Sequence, residues 1–281
     1  MDPNPGQGDR QKGAGESVPQ VKGDGGGTTQ ATYEEEGKVL ERYSLKEGIL
    51  DGEALSYDGE GRVIRRSHFK NGELDGECMT YDKEGRIIQR VNFKDGKPDG
   101  EAVSYDEEGQ ITQKSCFKDG LLHGEMTLYD DGRMSTKMVY REGLLDGEGI
   151  SYGDNGEVIG RSQYKSGKLN GESVWYDKEG RLLLKSQYRA NKLDGEKLGY
   201  YPSGQVREKS FFKNNQLEGE LISYYENGEI KEKSFYKQGK QMGETIEYEE
   251  DGSLKKEGTQ EVEKEQPKPK KSKGFLGFGE D

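Results

Sequence analysis

Glycine followed by glutamate recurs along this chain at Gly52, Gly76, Gly100, Gly124, Gly147, Gly171, Gly195, Gly219 and Gly243, with a step of 24 residues broken by a single interval of 23. A fixed period of this length marks an array of short units, none of which buries a face alone, so that each must stack on its neighbours. The period restricts the fold before any other property is considered.

Within a unit the pattern is that of a β-hairpin. A tyrosine stands five positions after each glycine, as at Tyr57, Tyr81, Tyr105 and Tyr176, and an apolar residue often lies two before it, as at Met79, Val103 and Val174. This alternation of period two is that of a half-buried strand. Asp82-Lys83-Glu84-Gly85 then reads as a type I turn closed by a glycine in the left-handed region. A second strand starts on an apolar residue (Ile87, Leu182) and ends on an aromatic: Phe69, Phe93, Phe117, Tyr140, Tyr164, Tyr188, Phe212 or Tyr236. A second turn, usually with Gly or Asn, leads into the next unit. Joined edge to edge, these hairpins predict an all-β fold: an elongated, single-layer antiparallel sheet with two wet faces. Composition agrees, because 28% hydrophobic and 35% charged residues are poor material for a thick two-layer core. The spacing leaves open which columns share a face, since a bulge at the turn shifts the alternation by one residue.

Gly76-Glu77, Tyr81, Gly85 and Phe93-Lys94-Asp95-Gly96 resemble the MORN repeat, and more closely the variant repeat of bacterial YwqK-family antitoxins. The resemblance covers residues 33 to 257. It implies a non-catalytic β-hairpin solenoid used for binding, and the antitoxin label implies a toxin as the protein partner.

Three segments follow from the pattern: a disordered Gly- and polar-rich leader over 1–31, the repeat array over 32–257, and a flexible tail over 258–281. In the tail Lys264, Lys268, Lys270, Lys271 and Lys273 precede an apolar tip of Phe275, Leu276 and Phe278. The first residues lack the basic start and apolar core of a secretory signal, and no stretch approaches the ~18 apolar residues of a membrane span, so cytoplasmic residence is expected. The basic-apolar tail adds an alternative, a peripheral scaffold on an anionic membrane surface. A net charge of −12 disfavours nucleic acid as a partner. Unpaired strand edges at the two ends of the sheet offer a route to self-association.

Catalytic chemistry finds no support. The Glu column (Glu53, Glu77, Glu101) and the Asp column (Asp51, Asp75, Asp99, Asp146, Asp194) repeat along the array, whereas an acid/base pair needs one differentiated site. Turn capping and solvated charge account for them. The basic column from Arg66 to Lys233 is expected to pair with those carboxylates. His68 and His123 lack companions for a metal, and the serine column from Ser67 to Ser234 is too repetitive for a nucleophile. No cofactor is expected. Specificity is expected where the repeat is broken: Trp175, Phe211 and Phe235 replace residues that are mostly small or polar in other units, and with Phe275, Leu276 and Phe278 they are the candidate partner-binding residues.

Overall fold

The computed structural model describes residues 20–23, 28–35 and 37–255. Among them there is no helix, and 22 strands form one open antiparallel sheet in which each strand pairs with the next along the chain, except where one strand is broken in two, as at Glu73–Leu74 and Gly76–Tyr81, both paired with Val63–Lys70. One period serves for the rest. Strand Lys168–Tyr176 pairs with Leu182–Arg189, which pairs in turn with Lys192–Tyr200.

The two long edges of the sheet carry different turns. On one, Gly180 N–H donates to the Asp177 carbonyl at 2.9 Å and Asp177 N–H donates to the Arg181 carbonyl at 2.9 Å. The Asp177 carboxylate accepts from the N–H groups of Glu179 and Arg181, at 3.1 and 2.8 Å, and from Arg181 Nε at 2.7 Å. Gly180, at φ 77°, supplies the left-handed residue that the sequence demanded. On the other edge the turns have two residues, such as Asn71 and Gly72, both at positive φ, between the paired Lys70 and Glu73. This is the type I′ turn, whose twist matches that of the strands it joins. Gly72 N–H bonds to the Leu50 carbonyl at 2.7 Å and Asn71 N–H to Asp51 Oδ2 at 3.2 Å, so the closing turn of each hairpin rests on the strand that opened it. The same acceptor role falls to Asp99, Asp146 and Asp194, but not to Asp75 of the same column.

At Gly195 the repeating glycine has a steric cause. A Cβ on Gly195, which sits at φ 133°, would lie 2.7 Å from Cβ of Gln187. Two strands meet there with more residues on one side than on the other, and only glycine permits the approach.

One boundary differs from expectation. Strands Gln20–Gly23 and Thr28–Glu35 belong to the sheet, so it begins upstream of residue 32. Ala31, 1% exposed opposite Tyr43, is among the most buried residues of the molecule. The β-branched Thr29 and Thr32 favour a strand here although the segment is polar. The disorder expected for residues 1–19, and the tail 258–281, lie outside the described residues.

Candidate interaction surfaces

Residues directly opposite one another in neighbouring strands share a face, so the register resolves what the sequence left open. Ser173, Ser186, Lys197, Ser210, Leu221 and Ser234 form one continuous row. The strand-ending rings Tyr164, Tyr188, Phe212 and Tyr236 lie two residues along and stand opposite Gly147, Gly171, Gly195 and Gly219. On this aromatic face large side chains cover small ones. A Cβ on Gly149 would come within 2.9 Å of Tyr164 Cε2, and Ser67, Ser115, Ser186, Ser210 and Ser234 are all buried although the sheet is a single layer. Burial raises the Tyr140 hydroxyl above the usual tyrosine value.

The opposite face is striped with charge. Its central row reads Val174, Lys185, Leu198, Lys209, Ile222, Lys233, Ile246. Each ammonium reaches a carboxylate of the repeating glutamate column: Lys185 to Glu172 at 2.7 Å, Lys209 to Glu196 at 2.6 Å, Lys233 to Glu220 at 2.6 Å. The hydrogen bond that each lysine donates to Glu172, Glu196 or Glu220 holds it above its ordinary value. These are the cross-strand pairs expected of the two columns. The aliphatic stems of Lys and Arg flank the apolar residues between them, and Val103 and Ile222 are buried at 2% and 9% exposure.

The three repeat-breaking aromatics of the array do not converge. Trp175 pairs with Gly160 and Leu184 and therefore belongs to the aromatic face. A Cβ on Gly160 would lie 2.8 Å from Trp175 Cε3 and Cζ3, so the indole fills the space that a buried glycine leaves, and 42% of the residue still meets solvent. Phe211 and Phe235 pair with Glu196 and Glu220 on the charged face, two strands apart, each 49% exposed. In earlier units their position holds His68, Asn92, Cys116, Val139, Gln163 and Gln187.

Near this pair the sheet also exposes residues that sequence reasoning passed over. Ile246, opposite Lys233, is 44% exposed and Leu254, bridged to Tyr248, is 65% exposed. Both occupy ordinary apolar positions of the unit. They are uncovered because the last hairpin is reduced to Ile246–Glu247 and a single bridge. The sequence carried the signal, since the Gly-Glu period does not recur after Gly243-Glu244. Phe275, Leu276 and Phe278 lie outside the described residues. Among the described residues no three His, Cys, Asp or Glu side chains gather as a metal-ligand set.

Against known proteins, the repeat columns find their counterpart in one family model. Three units match the MORN repeat variant. The matched residues are 98–119, 193–214 and 217–238, each running from the start of one strand across the wide turn to the end of the next. MORN repeats form β scaffolds, generally non-catalytic, and the remaining units here repeat the same glycine, tyrosine and aromatic columns. No curated protein matches the chain. Solved structures that align with it include the Tc holotoxin pore of Photorhabdus luminescens, at 14% identity over 83% of this chain and 15% of that one, with a TM-score of 0.20. Others are TcdB2-TccC3 without its hypervariable C-terminal region (12%, 81% and 17%, TM-score 0.17) and a porin-like protein from Bacteroides uniformis (9%, 78% and 93%, TM-score 0.18). The chain thus spans less than a fifth of the toxin chains, and at these scores none of the three carries an argument. No helix among the described residues is long and apolar enough to cross a membrane.

Proposed function

We propose that the MORN-variant array is a non-enzymatic scaffold that binds a partner protein through its extended β surface. The observation that carries this reading is the exposure of Phe211 and Phe235 at adjacent copies of one repeat position, amid paired charges that keep the rest of that face soluble. Scaffold demands explain what recurs in every unit. They do not explain two half-exposed phenylalanines where other units carry mostly polar side chains, whereas aromatic anchors ringed by charge are what a protein interface uses.

Affinity capture with the full chain and with the double variant Phe211→Gln, Phe235→Gln tests the reading. Glutamine already occupies this position at Gln163 and Gln187, so the sheet accommodates it. A stoichiometric protein retained by the parent and lost from the variant supports the interface; equal retention, or no stoichiometric protein at all, overturns it. The resemblance to YwqK-family antitoxins extends the reading to a toxin as partner. Co-expression should then relieve growth arrest caused by the captured protein alone, and a captured protein that arrests nothing removes that extension.

A further inference from the structure

The C-terminal end of the charged face is left with apolar surface and an excess of acid. Phe235 and Ile246 are diagonal neighbours across adjacent strands, Phe211 lies two strands further in, and Leu254 stands at the rim, all four between 44% and 65% exposed. In the last hairpin Glu244, Glu249, Glu250 and Asp251 are exposed at this end, while Glu232 and Glu247, opposite one another, belong to the aromatic face. In the body of the array the equivalent apolar row is sealed by lysine and arginine stems from the strands on either side. At this end the described residues supply no further strand.

The chain that continues from Lys255 has the missing chemistry. Lys264, Lys268, Lys270, Lys271 and Lys273 complement the acidic rim, and Phe275, Leu276 and Phe278 complement the exposed rings. We propose that the segment Lys264 to Phe278 docks in cis on this end of the charged face, its apolar tip against Phe211 and Phe235 and its lysines against the acidic rim. Reach is sufficient. Roughly 20 residues separate Lys255 from the tip, and a flexible chain of that length has a root-mean-square span of about 25 Å, against the roughly 19 Å of four strand spacings between Leu254 and the strand of Phe211. Tethering also removes most of the association cost, because the effective concentration of a short linked segment is in the millimolar range, so even a millimolar contact is about half occupied. The contact needs only this chain and no partner, so it and the scaffold reading fail separately. If both hold, the tail shields the phenylalanines until a partner displaces it.

Paramagnetic relaxation on the full chain tests the contact. A spin label is attached at Gly279→Cys, in a background with Cys78→Ala and Cys116→Ser, and ring signals of Phe211 and Phe235 are compared with the indole of Trp175, which lies on the opposite face. Expected is at least a roughly twofold loss of intensity at both phenylalanines for a half-occupied contact, little change at Trp175, and recovery in high salt. Replacing Phe275, Leu276 and Phe278 by Ser should abolish the loss without altering the spectrum of the array. No selective loss overturns the proposal. So does an equal loss when isotope-labelled chains without the spin label are mixed with spin-labelled chains lacking the isotope, because the occupant is then a second copy. A loss that arises only when anionic vesicles of phosphatidylserine and phosphatidylcholine are added overturns it in favour of a membrane surface.

Discussion

On one face of the sheet Ser186 is 2% exposed beneath neighbouring rings and small residues; on the other, Ile222 reaches 9% between the stems of Lys209 and Lys233. Both faces meet water and neither has a second layer to bury against. The aromatic face interlocks large with small, so its stability depends on shape. The charged face lays long aliphatic stems beside apolar side chains and keeps the charged ends in solvent, so it depends on length and tolerates change in the head group. The comparison separates a face on which substitutions alter packing from one on which they alter recognition.

The strongest test of the interlock is Gly160→Val, which forces the indole of Trp175 from its place. Overpacking of this kind should cost about 1–3 kcal/mol, read as a lower urea midpoint together with a shifted emission of Trp175, the single tryptophan of the chain. A silent spectrum would show that the ring does not depend on that glycine. A contrast of sign comes next. Ser173 Oγ donates to Ser162 Oγ at 2.9 Å, whereas Ser210 Oγ is buried without a partner. Ser173→Ala should therefore lose about 1 kcal/mol while Ser210→Ala is neutral or stabilising, and denaturant melts of the two variants side by side measure the difference.

On the charged face Lys209→Met keeps the stem and drops the ion pair with Glu196, and it should change stability by less than about 0.5 kcal/mol. Lys209→Ala removes the stem beside Leu198 and Ile222 and should cost more, in a way that salt does not alter. If Met proved as costly as Ala, the ion pair rather than the stem would be holding this face.

The smallest effects are those of pH, and they reach the charged groups first. The Arg62 backbone N–H, and then its guanidinium, holds Asp58 below the usual carboxylate value. At Asp82 and Asp177 desolvation pulls upward but is outweighed by the backbone N–H and guanidinium of Arg86 and Arg181. A depressed carboxylate contributes stability that is present above its unfolded value, near 3.9, and is lost as pH falls through the folded one. The raised lysines behave in the opposite sense: their contribution is present below the unfolded value, near 10.4, and is lost as pH rises through the folded one. Urea midpoints should therefore hold a plateau between these limits and fall on both sides, with Asp177→Asn softening the acid limb only.

Much of this architecture was legible because repetition multiplies a weak local signal. Gly85 alone suggests a turn; nine copies at one spacing settle the hairpin. The pairing of lysines with the glutamate column and the capping by Asp51 and its copies followed from the same logic. The division into faces did not, because it depends on the one-residue bulges beside Tyr176 and its equivalents, which invert the alternation between one strand and the next. For that reason Trp175, Phe211 and Phe235 looked alike in the sequence, although the register sets Trp175 apart from the other two. The start of strand Thr28–Glu35, ahead of residue 32, was missed for a different cause: the burial of Ala31 comes from Tyr43 across the sheet and not from any apolar pattern of its own.

The tight turns that bond back to their own opening strand, as Gly72 does to Leu50, also bear on how the chain acquires its structure. Backbone pairings among the described residues stay within about one 24-residue period of a 281-residue chain, which places the relative contact order below about 0.1. That value belongs to helical bundles and lies far from those of β-sandwiches and barrels, whose strands must find partners from distant parts of the chain. Loop closure therefore costs little at each step, and folding can nucleate at any hairpin and spread outward through its neighbours. Such an all-β chain gains structure progressively as it emerges from the ribosome, without waiting for its last residues.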